Sequence, residues 1–192
     1  MRPTREMLPN FDLERGTSLG SQFLLRGERS FHAAARHVQR LPYGRNSDRT
    51  DYGLVLAEGR GTCSTKHALL AALAREHARP VELRLGIYEM DEENTPGVGS
   101  ILGRYGLACM PEAHCFLAHR GVRVDLTRDE PTGSNVNFLH EETIEPVQIG
   151  SYKVGAHRRF IEEWASQRKL DPEQVWKIRE ECILALSDAG YP

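Results

Sequence analysis

Three residue types suited to thiol chemistry are spread along the chain as Cys63, His114 and Asp125. Cys63 stands out by its setting. Gly59 and Gly61 allow a tight turn before it, Thr62 is a helix-capping residue type, and an apolar helical run follows. A cysteine at a helix start meets unpaired backbone N–H groups and the positive end of the helix dipole, both of which favour the thiolate. The same residue could instead serve as a small apolar core side chain. His114, on a predicted strand, carries an imidazole that exchanges protons near neutral pH. Asp125, on the next predicted strand, can hold one ring nitrogen while the other faces the sulfur. Residue order fits equally well with a buried His–Asp hydrogen bond that stabilises a sheet and does no chemistry.

These residues need elements to position them. Residues 1–29 read as loops with one short helix around Ser21 to Leu25. Ser30 can cap a helix over Phe31 to Leu41, where Phe31, Ala34, Ala35, Val38 and Leu41 share a face, and Pro42 and Gly44 stop it. Arg45 to Tyr52 is a polar loop. The helix that starts at Cys63 is expected to bury a stripe of Ala68, Leu69, Ala72 and Leu73, with Arg75, Glu76 and His77 at its wetter end. VELRLGIYEM predicts a strand with Val81, Leu83, Leu85 and Ile87 on one face, and residues 91–111 a long loop. AHCFLAH and VRVDL predict strands joined by a turn at Arg120-Gly121. EPVQIGSYKV predicts a further short strand. Two helices close the chain, around His157 to Arg168 and from Pro172 to about Ala189, the second capped by Asp171 with Gln174 at the capping-box position.

The segment GRGTCSTKHALLAALAREHARPVELRLGIYEM resembles the cysteine-bearing centre of the transglutaminase-like superfamily, and AHCFLAHRGVRVDL resembles its following histidine and aspartate strands. The resemblance covers residues 55–127 and extends loosely to Phe31. It implies an α+β, papain-like cysteine-proteinase fold, with N-terminal helices and a central nucleophile helix packed on an antiparallel sheet. The length of 192 residues favours one domain over residues 1–192, in which the resemblance marks a core at 31–127 and the helical pattern a C-terminal extension at 155–189. By the family's pattern Cys63 is the nucleophile, His114 the base and Asp125 the orienting acid. Phe116 keeps an aromatic two positions after the histidine. RGVRVD departs from the usual glycine-aromatic turn, since Val122 follows Gly121, and this weakens transfer of any substrate preference.

The implied reaction is acyl transfer through a cysteine thioester, on a peptide, a protein or a small amide. The Cys63 backbone N–H is a candidate oxyanion donor, and Gln22 and Tyr43 are candidates for a second. Water as acceptor gives an amidase or peptidase, which needs no acceptor groove and is the preferred expectation. An amine as acceptor gives a transglutaminase. A catalytically inactive peptide-binding or scaffold domain is the non-enzyme alternative.

Other readings carry less. Cys63 and His67 lie one helical turn apart, and Cys109, His114, Cys115 and His119 cluster in sequence, yet no paired CxxC exists and Cys115 must face away from His114 on a strand, so no metal is expected. His67 and Lys66 read as solvent-facing, although Lys66 could raise the positive potential near Cys63. Arg128 could meet an acidic group, but Asp129 and Glu130 beside it suggest local pairing. The acidic run Asp91–Glu93 reads as a polar loop, and Trp164 and Trp176 as packing anchors. The lone GxG around Arg60 lacks the rest of a phosphate-binding loop, and no cofactor motif is present. With a formal charge of -2 and no basic stripe, a nucleic-acid partner is not expected. No apolar run approaches the roughly 20 residues of a membrane helix. The amino-terminal residues lack the apolar segment of a secretion signal, which favours a cytoplasmic protein with reduced thiols. The sequence leaves the oligomeric state open.

Overall fold

Residues 4–128 and 136–188 are described by the computed structural model. In chain order the elements are α1 (Ser18–Leu25), α2 (Phe31–Arg40), α3 (Leu54–Glu58), α4 (Cys63–Glu76), β1 (Glu82–Met90), α5 (Gly99–Arg104), β2 (Met110–His119), β3 (Val122–Val124), β4 (Phe138–Ile144), α6 (Ser151–Arg168) and α7 (Pro172–Asp188). The fold is α+β, with N-terminal helices packed on a four-stranded antiparallel sheet of order β3-β2-β1-β4. The contacts divide the chain into two compact units. The first takes the described residues of Met1–Leu85, Cys115–Asp129 and Glu142–Gly150, and the second those of Gly86–His114, Glu130–Glu141 and Ser151–Pro192.

In the first unit α4 is the central element. Every residue from Cys63 to Ala74 is buried, so the helix has no wet face until Arg75 and Glu76. The reason lies in its composition: Ala68 to Ala74 is an unbroken run of alanine and leucine, apolar around the whole circumference. The expected single stripe is therefore too narrow. α2 packs on α4 through Phe31, Ala34, Ala35 and Val38, with Ser30 capping it by accepting the Ala33 N–H. Phe11 stacks on Phe31 with ring centroids 4.9 Å apart. α1 starts three residues earlier than expected and is tied to the carboxyl end of α4, where the Glu76 carboxylate accepts the Leu19 and Gly20 N–H groups.

The β2–β3 hairpin forms as expected. Arg120 and Gly121 both have positive φ, 50° and 77°, and the register pairs His119 with Val122 and Leu117 with Val124. Two positive-φ residues give the tight turn whose twist matches that of the strands. EPVQIGSYKV is not a strand. Pro146–Ile149 is a 3-10 turn, where the Gln148 side chain accepts the Glu145 N–H, and Ser151 then opens α6. Proline at the first helical position suits that turn better than a strand interior. The strand lies just upstream, as β4.

The second unit packs Tyr88, Met90, Val98, Ile101, Leu102, Met110, Ile161, Trp164, Val175, Ile178 and Cys182 into one core. The expected long loop at 91–111 contains α5. The Glu92 carboxylate accepts the Gly97 and Gly99 N–H groups at the helix start, and Ile101 and Leu102 enter the core. Glycine at positions 99 and 103 gives α5 poor intrinsic propensity, so tertiary burial holds it. Phe138 of β4 lies directly over Gly86 of β1, where any β-carbon would overlap its ring. α7 begins where expected, with the Glu173 N–H donating to the Asp171 carboxylate, while Ala189 falls outside the described residues. The buried Glu112 of β2 meets Arg179 of α7 in a two-pronged pair, both bonds 2.7 Å. Desolvation raises the Glu112 pKa, but the guanidinium's charge and hydrogen bonds outweigh it and hold the carboxyl at about 2. Burial lowers the nearby His157 to about 4; the Glu112 charge opposes this and Arg179 adds to it.

Candidate functional site

Cys63 is the first residue of α4 and is only 8% exposed. Its approach is built from main-chain contacts. The Gly44 N–H donates to the Gly61 carbonyl and the Gly61 N–H to the Pro42 carbonyl, so residues 42–44 run beside the turn into the helix. Gly61 is needed there, because a β-carbon would sit 2.9 Å from Thr65 Oγ1 and 3.0 Å from both Lys66 Cγ and Val55 Cγ2. The Thr65 hydroxyl accepts the Thr62 N–H at 3.0 Å and donates to the buried Asn46 side chain at 2.9 Å. Asn46 Nδ2 in turn donates to the Arg60 carbonyl and the Glu58 carboxylate. The first turn of α4 is thereby fastened before Cys63 is asked to do anything.

His67 and Lys66 correct the sequence reading: both are 0% exposed. A buried polar group must find partners, and each does so on the main chain. The Leu126 N–H donates to His67 Nε2 at 2.8 Å, so the proton of the ring lies on Nδ1, which donates to the Cys63 carbonyl at 2.7 Å. That tautomer is the neutral one, although Asp125 Oδ1 lies 3.5 Å from Nε2. The contact is accordingly not an ion pair, and His67 is a structural pin with both nitrogens engaged. His77 repeats the device at the other end of α4, taking the Glu14 N–H on Nε2 and donating to the Leu73 carbonyl. The Lys66 ammonium donates to the carbonyls of Leu41 (2.5 Å), Thr127 (2.7 Å) and Gln39 (3.3 Å). Burial lowers its pKa to about 8, Arg128 adds to the fall, and the charges of Asp125 and Cys63 oppose it.

Asp125 follows β3 directly, with its side chain 51% exposed. Its Oδ1 accepts the Thr127 N–H at 2.9 Å and the Thr127 hydroxyl at 2.5 Å, which fixes the carboxylate. The first unit therefore holds Cys63 and Asp125 on neighbouring elements, linked through His67. His114 belongs to the second unit, where its ring stands edge-on to Tyr88 with centroids 6.3 Å apart. Strand alternation puts it on the face of β2 opposite to the fully buried Cys115.

Of the oxyanion candidates, Tyr43 pairs with Gly61 in an isolated parallel bridge and carries the Arg128 guanidinium over its ring at 4.6 Å. Gln22 sits in α1, the helix tied to Glu76. A groove of about 700 Å³ lies at that end of α4, lined in part by Ser18, Tyr52, Ala72, Arg75 and Val147, and does not include Cys63. Among the described residues no group of three His, Cys, Asp or Glu side chains is disposed to hold a metal ion. His119 Nδ1 instead donates to the Pro80 carbonyl, and all four cysteines are free thiols. No described helix is long and apolar enough to cross a membrane.

Sequence reasoning missed Asn46, Lys66 and His67 as parts of this framework. Asn46 sits in a polar loop and gives no signal. The two helix residues could have been found, because a helix apolar on all sides must bury whatever polar groups its first turns carry. Comparison of the chain with protein-family models, with curated proteins and with solved structures yields no match.

Proposed function

We propose that the protein is a cysteine-dependent acyl-transfer enzyme that hydrolyses an amide or peptide bond. The observation that carries this reading is the placement of Cys63 at the amino end of the buried α4, with the turn around it locked by Thr65, Asn46 and His67. The helix dipole and the unpaired N–H groups of a first turn favour a thiolate there and can receive an oxyanion. In the proposed reaction His114 takes the Cys63 proton, and the sulfur attacks the amide carbonyl. The tetrahedral intermediate expels the amine as His114 returns the proton. Water, deprotonated by His114, then cleaves the thioester to give the free acid and restore the thiol. Asp125, held by Thr127, orients the imidazole. The small exposure of Cys63 favours a second reading, a scaffold that keeps this architecture without turnover.

Wild type and Cys63→Ala incubated under reducing conditions with an amide-substrate library, with and without a primary amine, separate the two. Cys63-dependent release of ammonia or free acid supports hydrolysis, and Cys63-dependent incorporation of the amine assigns the transfer variant. Identical turnover by both proteins across the library removes the nucleophile and leaves the scaffold.

A further inference from the structure

Three successive residues beyond Asp125 each have a backbone group captured by a side chain from a helix. The Leu126 N–H goes to His67 of α4, the Thr127 carbonyl to Lys66 of α4, and the Arg128 carbonyl to Gln39 of α2. Exposed segments next to a strand are ordinarily left to water or to local turns. Here the capture is dense, buried on the helix side, and lies immediately after the carboxylate assigned to orient the base. Thr127 is the pivot, gripping Asp125 Oδ1 with its N–H and hydroxyl while its own carbonyl is held by an ammonium. That ammonium makes its other two hydrogen bonds to Gln39 and Leu41 at the end of α2, so Thr127 is referenced to two helices at once.

We propose that Lys66 is a positioning residue for the thiol chemistry, setting Asp125 through the Thr127 carbonyl that its buried ammonium ties to the end of α2. A lysine suits this post. Its three donors meet three carbonyl oxygens, whereas methionine, an apolar side chain of similar length, offers none. The role differs from general acid or base work, since all three N–H bonds point at main-chain oxygens and not towards a reacting atom. This inference rests on the acyl-transfer reading, and its test is arranged to fail separately from it.

The readout is the rate of Cys63 alkylation by iodoacetamide in the folded full chain, followed by mass spectrometry of the Cys63 peptide. His114→Ala serves as the reference for base activation. Lys66→Met is expected to alkylate about tenfold more slowly than wild type, the scale of a sub-ångström misplacement of an orienting group. Lys66→Ala is expected to recover to within about threefold of wild type on addition of propylammonium, which restores the donors, and not on addition of tetramethylammonium, which has none. If His114→Ala slows alkylation but Lys66→Met reacts as fast as wild type or faster, the positioning role is wrong and the acyl-transfer reading stands. If His114→Ala itself reacts like wild type, both are wrong. Should the Lys66 variants fail to fold, Thr127→Val tests the second half of the linkage, since it deletes the hydroxyl on Asp125 and keeps the carbonyl that Lys66 holds. It is expected to slow alkylation about threefold, and an unchanged rate overturns the proposal.

Discussion

Replacing Glu112 by glutamine keeps the volume of the side chain and deletes the charge that meets Arg179. The pair is nearly enclosed, so solvent screens it little. With the carboxyl held at about 2 in the folded protein against an ordinary 4.5, the unfolded chain binds more protons between those values. Stability from this group is thus fully present above pH 4.5 and is lost as pH falls towards 2. The shift corresponds to about 3 kcal/mol at neutral pH, falling to roughly half of that at pH 3. Both tryptophans of the chain, Trp164 and Trp176, lie in the second unit with this pair, so denaturant unfolding followed by intrinsic fluorescence reads the unit concerned. Glu112→Gln is expected to lower the unfolding midpoint at pH 7 by the equivalent of about 3 kcal/mol with an unchanged slope, and the gap should halve by about pH 3. The double variant Glu112→Met/Arg179→Met should recover most of the loss, because two apolar side chains leave no buried charge behind. A gap below about 1 kcal/mol at pH 7, or one that does not change with pH, refutes this account of the pair.

His157 should add an acid-sensitive slope of its own. Its folded pKa is depressed to about 4 from 6.5, so stability is lost as pH falls through that interval, and His157→Gln should flatten midpoints measured by fluorescence there. Gly61→Ala should cost about 1–3 kcal/mol by overpacking the turn against Thr65, Lys66 and Val55, read as a lower thermal midpoint by circular dichroism. Arg120→Asn, beside Gly121, should raise stability by about 0.5–1 kcal/mol, because asparagine tolerates the positive φ better; a lower thermal midpoint would contradict the turn geometry.

The parts of the fold that were legible are those where local chemistry and tertiary demand agree. Ser30 caps α2, Thr62 precedes α4, and Arg120-Gly121 turns the hairpin, each because a residue type matches a backbone requirement. Legibility failed where tertiary contacts overrule local preference. α5 contains two glycines and exists because Glu92 caps it and Ile101 and Leu102 are buried. β4 carries Glu141 and Glu142, which look like loop residues, yet it closes one edge of the sheet. At the candidate site, the setting of Cys63 could be read from the residues that flank it. The burial of Lys66 and His67 is hard to read because their own charge and polarity mask the all-round apolar character of α4.

The imidazole in the first turns of α4 and the one at its carboxyl cap hold distant chain through amide hydrogens, at Leu126 and at Glu14. An amide hydrogen is supplied by nineteen of the twenty residue types, so the clasped positions are free to vary in side chain while the clasp persists. The histidines themselves have no such latitude. Substitution should therefore be tolerated widely at 14 and 126, with proline the exception, and poorly at 67 and 77. In a helix wrapped on all sides, selection on those two segments acts through the helix that grips them.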